Sequence, residues 1–277
     1  MIFKFLPLLL LLLFLSCDAQ LDNPLDPEGD DFVEPETTIT NDNLDGSVIN
    51  TSSLTINWEG NDLATDYSVN LKNHLGWTGW SEWSSQTDTT YHYLNEGSFY
   101  EFQVKCRYAN GIEDETPAIA QFTVDAVESP GIRFYPLYTD INFNSEVSIY
   151  IEGIDNISFG SVVFDVISEN ETSCNEIEIS SIENAEGVDP LVFIVDSDSS
   201  VEPGVLATYT VNFGEDGDSG INNNYFDLAK ITFSQTTQGT QCGKQIELRM
   251  NLEETELRDY NNNLIDIIDK ADGVVGQ

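Results

Sequence analysis

Basic residues are scarce in this chain: 10 Lys and Arg stand against 49 Asp and Glu, a formal charge of -39 at pH 7. So acidic a surface repels a phosphate backbone or an anionic lipid face, and nucleic-acid binding is set aside. Positive charge has to come from a basic partner, from divalent cations or from saline surroundings. Histidine is rarer still. Only His74 and His92 are present, and neither falls in a nucleophile or metal-ligand spacing. Glycine-rich phosphate loops and dinucleotide fingerprints are missing, which removes nucleotide chemistry. Acid pairs abound, but among 49 carboxylates chance adjacency is expected, so no glycosidase pair can be read from them. These absences point away from an enzyme.

Cysteine is sparse too, with four residues in 277. Cys106 lies in Tyr100-Phe102-Val104-Cys106-Tyr108, where every second residue is apolar, and this predicts a core thiol on the buried face of a strand. Cys174 and Cys242 remain as a candidate disulfide of the kind an exported chain permits. Closing that loop would contribute roughly 4 kcal/mol in the chain-entropy model. One long apolar run exists, from Phe5 to Leu15, after Lys4 and before Ser16. It is shorter than the roughly 20 residues of a spanning helix, carries Pro7, and is followed closely by Asp18. A charged start, a short leucine-rich stretch and a small residue before the cut are the marks of a secretory signal. With Cys17 at the cut, residues 1–16 resemble a bacterial lipoprotein signal peptide. That resemblance implies lipidation of Cys17 and a lipid anchor in the outer membrane or at the cell surface of a bacterium.

Residues 17–36 read as a tether. Acids and prolines dominate, apolar periodicity is absent, and like charges stiffen the segment, so a disordered spacer is expected. The acidic stretch after Cys17 also resembles surface-export signals of some outer-membrane lipoproteins.

From 37 to 126 short alternating runs recur between turn residues. Leu54, Ile56 and Trp58 share one face, Tyr67, Val69 and Leu71 another, and the runs from Tyr100 to Tyr108 and Ile119 to Val124 follow. Such spacing predicts a small antiparallel sandwich. Trp58, the stretch LNEGSFYEFQVKCRYANG and the final PAIAQFTV resemble fibronectin type III and related immunoglobulin-like modules. From 128 to 277 a second all-strand unit begins. Val147, Ile149 and Ile151 alternate with polar neighbours, as do Val162, Phe164 and Val166. No segment after the leader holds a helical period, so the prediction is all-β, with two antiparallel β-sandwiches in tandem. EVSIYIEGIDNISFGSVVFDVI, FDLAKITF and LRDYNNNLIDIIDKADGVVG resemble the cohesin family, jelly-roll relatives of carbohydrate-binding modules.

Three sets of residues carry functional expectations. Trp77, Trp80 and Trp83, in GWTGWSEWSS, could form a sugar platform, because flat aromatic faces stack on a pyranose. The same string matches the WSXWS signature of cytokine-receptor fibronectin modules, where the indoles interleave with side chains on the strand surface. Asp216, Asp218 and Asp227, with Asn222 and Asn224, fall at calcium-loop positions, but Gly220 and Ile221 break the frame. A solvated acidic hairpin is the competing reading, so Ca2+ is an open expectation and no other cofactor is implied. The cohesin resemblance implies that one flat sheet face, which includes the third strand, receives a protein partner of the dockerin type. With Val162, Phe164 and Val166 inward, Phe159, Ser161, Val163 and Asp165 are expected to face out. The expected function is non-catalytic docking at a cell surface, in the manner of polysaccharide-degrading assemblies, with carbohydrate binding or adhesion as the alternative.

Overall fold

The structure, a computed structural model, describes residues 23–154, 156–168, 176–185, 192–199, 204–214, 225–236 and 243–276. Cys17, Cys174, Cys242, Asp216 and Asp218 lie outside the described residues.

The first domain holds β1 (Thr37–Ile39), β2 (Ser47–Ile49), β3 (Leu54–Gly60), β4 (Ala64–Asn73), β5 (Gly76–Trp77), β6 (Asp88–Tyr91), β7 (Phe99–Tyr108) and β8 (Ala118–Val124). Among the described residues they form two sheets, β1-β3-β6 and β2-β8-β7-β4-β5. Period-two alternation drives the packing: Phe102, Val104 and Cys106 of β7 are fully buried and meet Ile56 and Trp58 of β3. The rings of Trp58 and Phe102 lie 5.8 Å apart at the centre of this core. Cys106 is a buried free thiol, its pKa pushed up chiefly by burial.

The second domain holds β9 (Gly131–Tyr135), β10 (Tyr138–Asp140), β11 (Glu146–Glu152), β12 (Ile157–Ser168), β13 (Ile177–Asn184), β14 (Val192–Asp198), β15 (Val205–Gly214), β16 (Tyr225–Gln235), β17 (Ile246–Met250), β18 (Glu256–Asp259), β19 (Leu264–Ile265), β20 (Asp269–Ala271) and β21 (Gly273–Gly276). One sheet runs β10-β21-β17-β12-β15-β14, with β18 and β19 attached beside β12; the other runs β13-β16-β11-β9-β20. Their inner faces enclose a separate core in which Phe164 packs on Phe134 at 5.5 Å and on Tyr209 at 5.4 Å. The molecule is all-β, two sandwiches in tandem. Most pairs are antiparallel, but β2 with β8, β10 with β21 and β9 with β20 run parallel.

Part of the expected tether is ordered. Residues 23–36 pack onto the first domain, where the Glu34 carbonyl accepts from Asn61 Nδ2 at 2.8 Å and the Val33 carbonyl from Tyr108 Oη at 2.9 Å. Asn110 Nδ2 also donates to the Leu25 carbonyl. Composition suggested a free spacer because the segment has little apolar area to bury; its backbone carbonyls supply the contacts instead.

The domain junction is held by two side chains of the turn before β7. Glu96 Oε2 accepts from the amides of Ala126 and Val127, which fixes the linker. Asn95 Oδ1 accepts from Leu137 N at 2.7 Å, while the Asn95 amide donates to Tyr100 Oη at 2.7 Å. Asn95 and Glu96 are 4% and 7% exposed, so both are structural pins.

Candidate functional site

The outer face of the second domain's larger sheet is set by the register of β12, β15 and β14. Phe159 pairs with Gly214, and Gly214 with Val192; Ser161 pairs with Asn212, and Asn212 with Ile194. Alternation sends Val162, Phe164, Val211 and Phe213 inward, and each is 3% exposed or less. Their neighbours point out, leaving Phe159, Val192 and Ile194 at 41%, 44% and 52% exposure. Gly214 lies between Phe159 and Val192. A side chain there would meet their Cβ atoms at 3.7 and 3.9 Å, so the glycine leaves a shallow dip in the row. Further along, the face turns polar. Asp165 Oδ1 accepts from Thr208 Oγ1 at 2.6 Å, and Asp196 and Asp198 stand exposed on the edge strand.

Val163 departs from the expectation of an open strip. It is only 4% exposed, because β12 changes partner at this point: β17 pairs with Phe164 to Ser168, and β18 with Ile157 to Ser161. The connection between β17 and β18 crosses over Val163, whose amide donates to Thr255 Oγ1 at 3.0 Å and whose carbonyl accepts from Asn251 N at 2.9 Å. Alternation alone could not show this strap, which depends on where two later strands end. The sequence reading also missed Val192 and Ile194, which carry the apolar row onto β14; their alternation with Phe193 and Val195 was the available signal.

The tryptophans form a different structure. Residues 78–84 run along β4, with Ser81 N on the Val69 carbonyl at 2.8 Å and Ser81 Oγ accepting from Val69 N at 3.0 Å. That places the indoles among the basic side chains of β4 and β7. Lys72 lies 5.7 Å from the Trp77 ring centre, Lys105 4.9 Å from Trp80 and 5.2 Å from Trp83, and the Arg107 guanidinium 4.6 Å from Trp83. Three of the chain's ten basic residues are committed here, and Lys105 and Arg107 also pair with Glu113 and Asp66. Each cation-aromatic contact at so exposed a site contributes roughly 0.5 to 1 kcal/mol. The ladder is interleaved, and every one of the three indoles already has a cation over its ring.

Of the calcium-frame residues only Asp227 is described. It sits on β16 with Oδ2 accepting from Ser148 Oγ at 3.1 Å, and burial raises its pKa. Among the described residues no cluster of three metal-ligating side chains occurs.

No protein-family model and no curated protein matches the chain. Solved structures similar to it include the third cohesin of ScaC in complex with the ScaB dockerin from Acetivibrio cellulolyticus. That chain is 15% identical, with 52% of this chain and 97% of that one covered and a TM-score of 0.34. The type II cohesin dyad of the ScaA scaffoldin from the same organism is 11% identical over 88% of this chain and 98% of that one, TM-score 0.33. The fibronectin(III)-like modules of Clostridium thermocellum CbhA are 10% identical over 87% and 93%, TM-score 0.27. At TM-scores this low nothing about partner or activity transfers from them.

Proposed function

We propose that the protein is a non-catalytic docking component, a surface lipoprotein anchored through Cys17 whose second domain receives a protein partner of the dockerin type on the outer face of β12, β15 and β14. The observation that supports this most is the exposed row of Phe159, Val192 and Ile194 around Gly214. Three large apolar side chains on one flat face of so acidic a chain are what an interface core requires. Asp196 and Asp198 at the rim favour a partner whose own rim is basic. Val163 is removed from the contact set, while Phe159, Ser161 and Asp165 stay within it. A role in polysaccharide degradation belongs to the same proposal and depends on the partner.

The test is capture of a partner from the native secreted fraction, its identification by mass spectrometry, and a direct titration of that partner against the Phe159→Ser, Ile194→Ser double variant. Both positions are exposed, so folding should be retained and affinity should drop at least a hundredfold, with salt weakening the wild-type complex. An unchanged affinity in the double variant would assign docking to another surface.

A further inference from the structure

Both histidines of the chain, His74 and His92, line one cleft between the two domains, of about 350 Å³. That volume is at the small end of ligand pockets, which run from about 300 to 1,000 Å³. Its floor is apolar, with Leu71, Leu94, Tyr91 and Tyr100 from the first domain. One wall is closed by Tyr93, which stacks on Tyr138 of the second domain with ring centres 6.1 Å apart and planes at 23°. Tyr93 holds this position from the left-handed region, φ 56°, an uncommon conformation for a bulky side chain.

The mouth is flanked by one turn from each domain, and each carries an apolar side chain in water. Leu75, at the tip between β4 and β5, is 75% exposed, and its amide is held by Asn73 Oδ1 at 2.9 Å. Gly76, at φ 111°, completes that turn. Phe143, between β10 and β11, is 85% exposed; its amide donates to the Asp140 carbonyl at 3.0 Å, and Asp140 Oδ1 accepts from Asn142 N at 2.9 Å. Neither Leu75 nor Phe143 is placed by core packing. Two braced turns that each present a large apolar group at one opening are a costly arrangement for a surface without a ligand.

Charge narrows the ligand class. Among the described residues Asp140 is the only charged side chain lining the cleft, in a chain of 49 acids, and its Oδ1 is already engaged by Asn142. An anion gains nothing there and is repelled by the rest of the molecule; a cation finds better partners almost anywhere else on the surface. The other polar groups at hand are neutral amides, threonine and tyrosine hydroxyls and two imidazoles. His74 and His92 are both held through Nδ1, by Asn95 Nδ2 at 3.1 Å and with Ser53 Oγ at 3.0 Å, which leaves Nε2 as the other polar atom of each ring. Aromatic and aliphatic faces beside a few hydrogen-bonding groups suit a molecule with one C–H face and a ring of hydroxyls.

We propose that this interdomain cleft binds an uncharged pyranose sugar, stacked against Tyr138 and Phe143. The site is separate from the docking face and from the tryptophan ladder, and it stands whether or not a protein partner exists.

Saturation-transfer NMR on the full chain tests it, with the methyl glycosides of neutral hexopyranoses and pentopyranoses and with the matching uronic acids. Neutral pyranosides should receive saturation at their C–H protons, and Phe143→Ala and Tyr138→Ala should each weaken binding about fivefold or more. Both residues are exposed, and the strand spectrum by circular dichroism verifies that the variants fold. Trp80→Ala and the Phe159→Ser, Ile194→Ser variant should bind as the wild type does. The proposal is overturned if no pyranoside is saturated, if uronic acids bind equally well, if both cleft variants keep full affinity, or if Trp80→Ala is the variant that loses it.

Discussion

Replacing Asn95 by aspartate should reverse the way the domain junction responds to acid. Leu137 N donates to Asn95 Oδ1, so the amide is oriented with Nδ2 toward His74, and His74 Nδ1 must accept. That fixes the neutral tautomer with its proton on Nε2. Burial lowers the pKa of His74 below its ordinary 6.5. A depressed folded pKa means that the unfolded chain binds more protons, so this contribution to stability is present above pH 6.5 and lost as pH falls through the folded pKa. In Asn95→Asp the acceptor for Leu137 is retained, but Nδ2 becomes an oxygen, so the neutral ring has to move its proton from Nε2 to Nδ1 to donate to it. At pH 8 a carboxylate at the buried position 95, beside a neutral ring that is itself exposed, should cost about 1 kcal/mol. Lowering the pH supplies a second proton to the ring, and the imidazolium then pairs with the carboxylate. The difference from wild type should then shrink by up to about 1.4 kcal/mol per pH unit while that one proton is taken up. Urea unfolding of both proteins from pH 8 to pH 5 measures it, since groups common to both cancel in the difference. A constant difference across that range would refute the contact between position 95 and His74.

Phe164→Ala should destabilise the second domain by about 3 to 5 kcal/mol, since the ring is fully buried between Phe134 and Tyr209, whereas Phe159→Ser should stay within about 1 kcal/mol in the same urea titration. Gly160→Ala should cost about 1 to 3 kcal/mol, because a Cβ there would stand 2.8 Å from the Glu256 carbonyl and 2.5 Å from Leu257 Cδ2, and the melting temperature of the variant checks it. Cys106 should resist alkylation in the native chain and react after unfolding, as mass spectrometry of iodoacetamide-treated protein would show; rapid native labelling would contradict its burial.

Period-two alternation was legible wherever one face of a strand is buried. It gave the cores of both domains, the position of Cys106 and the inward set Val162, Phe164 and Val166. What alternation cannot carry is any contact between segments distant in sequence. The strap over Val163 depends on the ends of β17 and β18, and the ordering of residues 23–36 depends on donors at Asn61, Tyr108 and Asn110. The tryptophan string admitted two readings because a ring's neighbours are not written beside it; Lys105 and Arg107 lie across β7. The cleft was the least legible of all. Leu75, Tyr93, Tyr138 and Phe143 look like scattered loop residues until the pins at Asn95 and Glu96 bring the two domains together.

The ordering of residues 23–36 changes the height at which the molecule would ride. With Cys17 lipidated, only the six residues from Cys17 to Asp22 separate the anchor from the folded body. At about 3.3 to 3.6 Å per residue, such a stretch reaches roughly 20 Å at full extension. That is about two and a half Debye lengths at physiological salt. Fully extended, the stretch would place the first domain where headgroup charge is largely screened at physiological salt; only at low salt, with a Debye length of about 30 Å at 0.01 M, would an anionic leaflet push its negative charge outward. Lowering the ionic strength should raise the body off the surface, and the far end, with β12, β14 and β15, would swing through a wider arc.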